Sequence, residues 1–494
     1  MKSFAKLLCF FAVCIAAARD SSAQTFNVGV SFEGEVINPQ AALLEDFDGG
    51  FEGTSLQGGL NGYCGLYSQW GCGTIYFLGG GYAAPIYSFC SDPYHACNDG
   101  EIPNSALLQA TNGNLYGTTQ GGNPYNGNPC GLYGCGTVFE YGWGNKNGPL
   151  KTLHTFSYAD GGVPTAGLIQ ATDGNLCGTT TQGGTHGNYG TIFRVTPAGK
   201  FTTLYNFCAL ANCADGYLPT GPLLQAADGS LYGVTEGGGA NRNAGTVFKI
   251  TPQGELITLY SFCALTNCRD GALPIGGLTQ ATDGNFYGTA NEGGAHKRGT
   301  LFRITPAGKL TTLYSFCALT NCTDGFGPSA GVIQATDGNL YGTTSSGGSN
   351  SHGTIFRFTS AGKFSTVYSF CSQASCADGA LPMGGLIQDT NGLLDGVTSS
   401  GGLYYWGISY TVSLGVPPFV RATPNSGKVG SRITLTGPDF SAATSVSFND
   451  VPAAFTLVGS HLSATVPSSA TSGKISVVTA NGVVNSAVAF KVIR

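Results

Sequence analysis

Beyond the first twenty or so residues, no stretch of the chain has the i, i+3, i+4 apolar spacing of an amphipathic helix. Its apolar positions fall in short runs that alternate with polar residues or glycine. The segment that begins at Gly331 shows the plan. Val332 to Thr336 is a short first strand, and Asp337-Gly338 turns it into a second, Asn339 to Thr344. Asp-Gly is a strong hairpin signal because both residues tolerate the positive φ of a two-residue turn. A loop starting at Gly347-Gly348 leads to a third strand, Gly353 to Arg357. In the preceding copy, the turn from Thr305 to Lys309 leads to a fourth strand, Thr312 to Phe316. Its Tyr314 and Phe316 share one face, Leu313 and Ser315 the other.

Anchored on the turn pair, the unit recurs at Asp48-Gly49, Asn112-Gly113, Asp173-Gly174, Asp228-Gly229, Asp283-Gly284, Asp337-Gly338 and Asn391-Gly392. The successive spacings are 64, 61, 55, 55, 54 and 54 residues. The first copy is degenerate, but Gly53-Thr54, Gly58-Gly59 and Gly73-Thr74 keep its register. Four antiparallel strands in a unit of about 50 residues is the arithmetic of a β-propeller. The ends of the array complement each other. The seventh copy, Gly384 to about Leu414, has no fourth strand before Pro417-Pro418, whereas Phe26 to Phe32 is such a strand with no copy of its own. A strand from the N-terminus added to the last copy would close a ring and leave no sheet edge at the join. An open solenoid has no need of that match. The expectation for residues 24–415 is therefore an all-β, seven-bladed β-propeller with four-stranded blades, its N-terminal strand closing the last blade.

These recurring positions resemble the bacterial GloVer-type tandem repeat over about residues 40–410. The resemblance implies export and a propeller-like array that carries assorted C-terminal modules. It implies no reaction and brings no catalytic residue with it. From Pro418 the repeat stops. Thr423-Pro424-Asn425-Ser426-Gly427, Gly430, Ile433 to Gly437 and Phe440 open a different run of alternating strands. Val446 to Phe448, Ala464 to Pro467, Ile475 to Val478 and Phe490 to Val492 follow, with an Asn481-Gly482 hairpin. This segment is similar to an IPT/TIG domain, which implies a small immunoglobulin-like β-sandwich over residues 416–494, acting as a spacer or interaction module. A likeness of fold does not fix function.

Composition supports the all-β reading. Glycine is 78 of 494 residues, and each glycine in a helix costs about 1 kcal/mol relative to alanine. Only 10% of residues are charged, against roughly 25% in ordinary soluble domains. The net charge is −5, and the 22 Lys and Arg are scattered with no run denser than Lys297-Arg298, which disfavours a nucleic-acid partner. Residues 1–23 read as a secretory signal peptide. Lys2 and Lys6 precede an apolar stretch, Leu7 to Ala18, and the small-residue site Ser21-Ser22-Ala23, with cleavage after Ala18 as a second option. An apolar run of about 12 residues is too short to span a bilayer. Cys9 and Cys14 lack the small preceding residue that lipoprotein processing favours. The expected location is outside the cytoplasm, whether secreted, periplasmic or at the cell surface, with no membrane span.

No nucleophile elbow, P-loop, zinc helix motif or calcium loop is present, and neither cofactor nor metal is expected. One carboxylate per Asp-Gly turn falls far short of a calcium shell of six to eight oxygens. A second series, Asp99, Asp160, Asp215, Asp270, Asp324 and Asp378, follows the fourth strands. Pro103, Pro164, Pro219, Pro274, Pro328 and Pro382 stand three or four residues on. Recurrence in each unit argues for architecture, because a single active site needs asymmetry. Asymmetry lies in the loops between second and third strands, which leave the array on the same face as the unit-to-unit connections. These loops carry Tyr125, Tyr189, Arg242, His296, Lys297, Arg298, Tyr404, Tyr405 and Trp406, side chains suited to stacking on sugars or anchoring a protein. Neutral drift in exposed loops is the competing explanation. The opposite, hairpin face is nearly invariant from copy to copy. If both faces were simply exposed turns, that difference would favour a ligand on the loop side.

The residue before Gly-Gly runs Gln57, Gln120, Gln182, Glu236, Glu292, Ser346 and Ser400 along the array, so only two adjacent units place an acid there. Two carboxylates roughly 6.5–9.5 Å apart suit an inverting glycosidase. Interchange of Gln, Glu and Ser at an exposed position is the plainer account. His186, His296 and His352 do not match metal-ligand spacing. The function expected is that of an exported, non-enzymatic binding or adhesion protein for an extracellular glycan or protein. The alternatives are a polysaccharide-active hydrolase or lyase using Glu236 and Glu292, and a structural cell-envelope protein.

Of 17 cysteines, Cys9 and Cys14 belong to the signal, and fourteen of the rest fall in close pairs. The pairs are Cys64/Cys72, Cys90/Cys97, Cys130/Cys135, Cys208/Cys213, Cys263/Cys268, Cys317/Cys322 and Cys371/Cys376. In an oxidising compartment they read as disulfides; zinc would need two pairs from separate loops to meet tetrahedrally. Cys177 stands where other units have the tyrosine of Leu-Tyr-Gly, which suggests a buried free thiol. Thiol titration of the processed protein should detect nothing in the native state and one cysteine after denaturation. Finding most of the paired cysteines reduced would overturn the disulfide assignment.

Overall fold

A computed structural model of the chain describes residues 24–60, 71–91, 97–122, 130, 134–142, 150–226 and 228–493. Residues 25–413 form seven four-stranded antiparallel sheets, an all-β arrangement of propeller-like repeats. The fourth sheet, Leu224–Gln225, Leu231–Thr235, Thr246–Ile250 and Leu256–Ser261, is representative and pairs in chain order. Its two middle strands are buried on both faces, because neighbouring sheets cover them from either side. One core cluster accordingly draws Tyr232 and Val247 from the fourth sheet and Phe286, Phe302 and Ile304 from the fifth. The ring of Phe248 lies across Gly233 on the adjoining strand, where an added Cβ would come within 2.5 Å of the ring. That close approach explains the glycine kept in Leu-Tyr-Gly. Beside it, the hydroxyls of Thr235 and Thr246 sit 2.8 Å apart and pin the same strand pair.

The pairing of third and fourth strands slips by a residue at Val247/Phe248, as it does at Ile192/Phe193, Leu301/Phe302 and Ile355/Phe356. Such bulges add local twist, and nothing in the alternation of residues announces them.

The first sheet comprises Leu44–Glu45, Phe51–Ser55, Thr74–Gly79 and Tyr82–Ser88. The seventh has Ile387–Gln388, Leu393–Val397 and Ile408–Ser413, and its fourth strand is Thr25–Ser31. Thr25 lies opposite Ser413 and Ser31 opposite Ile408. Phe26 stacks on Tyr368 of the sixth sheet, with ring centroids 3.7 Å apart.

Neighbouring sheets are also joined by the glutamine of the first strand. Gln170 accepts a hydrogen bond from the Thr111 amide of the preceding sheet and donates to the carbonyl of Gly174 in its own turn. Gln109, Gln225, Gln334 and Gln388 take the same amide hydrogen bond from Phe47, Thr172, Thr282 and Thr336. Glu45 takes it from Thr390, so the seventh sheet is linked to the first in the way that the others are linked in sequence.

Residues beyond 418 build two further four-stranded sheets around a core that includes Ile433, Leu435, Phe448, Leu462, Ile475 and Phe490. This unit is seated on the hairpin end of the array. Phe419 donates its amide to the Thr390 carbonyl at 2.9 Å, Ser460 donates to Asp48 at 3.0 Å, and the Arg421 guanidinium reaches Glu45 at 2.6 Å. Removing residues 24–33 should leave the strand Ile408–Ser413 as an open edge and drive self-association. Light scattering on the truncated protein checks this; an unaltered monomer would count against the strand's role.

Candidate functional site

At the loop end, the unit-to-unit connection and the loop between second and third strands are bonded to each other. Tyr217 and Gly237 exchange amide–carbonyl bonds of 3.0 and 3.1 Å, and Gly239 donates to the Cys213 carbonyl. Five of the connections are held by a local disulfide, and the second unit has its own in the loop between second and third strands. Disulfides join Cys90–Cys97, Cys130–Cys135, Cys208–Cys213, Cys263–Cys268, Cys317–Cys322 and Cys371–Cys376, five residues apart in all but the first. Cys72 is disulfide-bonded as well, and Cys64 lies outside the described residues. Cys177 is free and buried, its thiol pushed up to about 12 by burial. Sulfurs of Cys72, Cys90 and Cys97 cluster within 4.8 Å, as do His352, Cys371 and Cys376, but these sulfurs belong to disulfides and have no thiolate to offer a metal.

In the connections after the third to sixth units the aspartate is buried beneath the staple. Asp215 accepts hydrogen bonds from the Tyr205 hydroxyl and from the amides of Ala209 and Leu210 at 2.9–3.0 Å. Asp270, Asp324 and Asp378 repeat the arrangement with Tyr260, Tyr314 and Tyr368. Where His154 replaces the tyrosine, its Nε2 lies 3.0 Å from Asp160. The second Asp series is thus a framework element. Its tyrosine partner was visible in sequence as the recurrent residue of the fourth strand.

On that framework the predicted loop residues disperse. Arg242, His296, Lys297 and Arg298 are exposed in the fourth and fifth units, with the Arg298 guanidinium 4.8 Å above the Phe326 ring. Tyr189 is half-buried against Tyr217, and Tyr125 lies outside the described residues. Tyr404 and Tyr405 are exposed, whereas Trp406 is half-buried and packs against the cluster of Phe32, Val36 and Tyr76. Trp406 is therefore a support for the loop. Tyr404 and Glu33 line a cleft of about 450 Å³ with Val28, Ser31, Leu403 and Tyr82. Tyr82 is 58% exposed; sequence reasoning missed it because it opens a strand and lies outside the loops. Glu236 and Glu292 do not hold equivalent positions as the sequence suggested, because Gly237, not Glu236, faces Tyr217 as Glu292 faces Ala272. They are still near enough to interact, and the Glu236 carboxyl is raised above its usual range by burial and then by the charge of Glu292.

The hairpin end carries a second concentration of chemistry. In the first and seventh units the repeat's alanine becomes Asp46 and Asp389, and its tyrosine becomes Glu52 and Asp395. All four are buried. Burial raises Asp46 and Asp389, and pushes Asp395 up to about 8 with help from the charges of Asp389 and Glu45. Asp46 caps its own turn, accepting the Asp48 and Gly50 amides, and hydrogen-bonds Glu52. The near-invariance of the hairpin face thus has a structural cause. Its turns carry the glutamine links and seat the C-terminal sheets, so contrast with the loop face is not by itself a sign of a ligand.

The fold defines a class: tandem four-stranded antiparallel units joined to an immunoglobulin-like sandwich. The family model described as the Gloeobacter/Verrucomicrobia repeat matches residues 18–212, 128–329 and 210–410, and the IPT/TIG domain model matches residues 417–492. The chain belongs to the Gloeobacter/Verrucomicrobia repeat family and carries an IPT/TIG domain at its C-terminal end. No curated protein matches it in sequence. Among solved structures it is similar to PorZ, a bacterial surface component of the type-IX secretion system of Porphyromonas gingivalis. The two are 12% identical with a TM-score of 0.44, over 94% of this chain and 61% of PorZ. It is also similar to a candidate 6-phosphogluconolactonase of Bacteroides fragilis, at 16% identity and a TM-score of 0.40, over 77% of this chain and 89% of the other. Likenesses this distant carry no functional argument.

The buried acids give a pH dependence of defined sign. Glu101, like Asp395, has its carboxyl raised, to about 7, by burial and by the charge of Asp99. An acid raised on folding binds its proton more tightly in the folded state, so its contribution is complete below its unfolded value and is lost as pH rises toward the folded one. Thermal stability should fall between about pH 4 and pH 8 and then level off. Asp395→Asn should flatten the upper part of that fall and raise the midpoint near pH 8 by roughly 5 °C. Thermal scans across the range check it; an Asp395→Asn profile parallel to the wild type would refute the assignment.

Proposed function

We propose that this is an exported, non-enzymatic binding or adhesion protein whose seven sheets close into a seven-bladed propeller, with a glycan or protein ligand held at the cleft between Tyr82 and Tyr404. Gloeobacter/Verrucomicrobia repeats joined to an IPT/TIG domain fit a secreted surface or binding protein. Disulfides on five of the unit-to-unit connections suit an oxidising compartment, and among the described residues no helix is long and apolar enough to cross a membrane. The link from Thr390 to Glu45, together with the strand Thr25–Ser31, supports closure. The observation that carries the binding reading is the cleft itself: two exposed tyrosine rings and a leucine beside Glu33, on a support rigid enough to keep them exposed. Aromatic faces of this kind stack on sugars and anchor protein partners.

A second reading rests on the raised Glu236 carboxyl. Two neighbouring carboxyl groups, one of them raised by burial and by the charge of the other, are the kind of pair that hydrolysis of a glycosidic bond uses. A polysaccharide screen with product detection separates the two. In the binding reading, Tyr82→Ala with Tyr404→Ala lowers affinity for the retained glycan at least ~10-fold while the melting temperature holds, because both rings are exposed. Release of sugar that stops in Glu236→Gln or Glu292→Gln would establish the enzyme instead.

A further inference from the structure

The seat of the C-terminal sheets on the hairpin end leaves a cleft of about 610 Å³ between the two parts of the chain. One wall is made by Leu108, Ile169 and Leu224, which hold the same position in the first strands of the second, third and fourth sheets and are half-buried. The other wall is Ala422 and Pro424, with Arg432 at the start of the strand Arg432–Thr436. Clefts between domains are favoured places for small-molecule sites, and the lining here narrows the ligand by elimination.

The amides of Gln109, Gln170 and Gln225 also border the cleft, but their oxygens accept sheet-to-sheet hydrogen bonds and their nitrogens donate to turn carbonyls. Each has already engaged its oxygen and one of its two N–H bonds, which leaves a neutral N–H and no charge for a ligand. Arg421 is committed too, to Glu45 and to the Gln388 carbonyl. No aromatic ring lines the cleft, so sugar stacking has no platform, and no carboxylate lines it. Asp173, next to the lining residue Thr172, is turned toward Asn175 at 2.7 Å and Arg194 at 4.0 Å. Arg432 is exposed, and among the described residues it has no hydrogen bond or ion pair. What remains is an aliphatic wall with one guanidinium at its edge, the one charge left free, beside the short neutral side chains of Thr111, Thr172, Asn425 and Ser426.

We infer that this cleft binds a linear aliphatic carboxylate, its chain lying along Leu108, Ile169 and Leu224 against Pro424 and its headgroup paired with Arg432. A guanidinium matches a carboxylate through two parallel hydrogen bonds, and burying each methylene adds about 0.8 kcal/mol. Neither group alone would select the ligand; a neutral chain forfeits the ion pair and a short acid forfeits the burial.

The test is calorimetric titration of the full chain with decanoate and with the uncharged decan-1-ol. Saturable binding of one decanoate is expected, with decan-1-ol at least ~10-fold weaker in keeping with loss of a charge-assisted pair. Arg432→Gln, at an exposed strand position, should bring decanoate to the level of the alcohol, and Ala422→Phe should remove both by filling the cleft. Tyr82→Ala with Tyr404→Ala should change neither, since those residues line a different cleft. Absent or non-saturable binding, equal affinity for acid and alcohol, or an Arg432→Gln variant that binds decanoate as the wild type does would each overturn the inference.

Discussion

Where the first sheet meets the seventh, the glutamine that links neighbouring sheets elsewhere becomes Glu45, and three parts of the chain come to depend on its carboxylate. A glutamine amide offers an acceptor oxygen and donor N–H groups, which serve the preceding sheet and its own turn. Glu45 offers only acceptors. Thr390 of the seventh sheet occupies them through its amide and hydroxyl, and the Arg421 guanidinium supplies the positive charge that a buried carboxylate requires. Loss of Arg421 would strand a charge in the interior, a larger penalty than loss of an ordinary surface pair. The join between chain ends and the seat of the C-terminal sheets are in this way the same interaction.

Most of the architecture was legible because the fold is written several times over. The Asp-Gly turns, the four short strands of each unit and the missing fourth strand of the last unit each have a local physical cause, and each reappears in the structure. The bulges were not legible, since a one-residue slip leaves the residue pattern intact. Nor was the docking of residues beyond 418, because Arg421 is an unremarkable arginine until Glu45 is placed beside it. The buried acids could have been found: at the repeat's alanine and tyrosine positions an acid, Asp46, Glu52, Asp389 or Asp395, stands in the first and last units only. Read residue by residue, they pass for surface variation in a degenerate copy.

The site was harder to read than the fold for a related reason. Loop composition marked Tyr404 and Tyr405 correctly as exposed but could not separate them from Trp406, whose ring is drawn inward by Phe32 and Tyr76. Tyr82 escaped notice because its exposure comes from the way the start of an outer strand faces the N-terminal strand. The two ends of the array also have different work. The loop end is variable because its disulfides and buried aspartates fix the chain within each unit, leaving the tips free to change. The hairpin end is constrained because each turn there touches another sheet or the C-terminal sandwich.

The strand Thr25–Ser31 has a consequence for the order of events during synthesis. It is made before the other strands of the array, yet its partner, Ile408–Ser413, follows all the rest of them. The early strand must therefore wait as an unpaired, alternating β segment while the intervening sheets assemble. Joining ends so far apart in sequence carries a large but slowly growing entropic cost, and contacts of such long range slow folding. An unpaired strand held that long is the kind of segment that recruits wrong partners. The glycine and asparagine in Phe26-Asn27-Val28-Gly29-Val30 lower its appetite for other strands, so the weakest-looking strand of the array is the one whose patience the assembly requires.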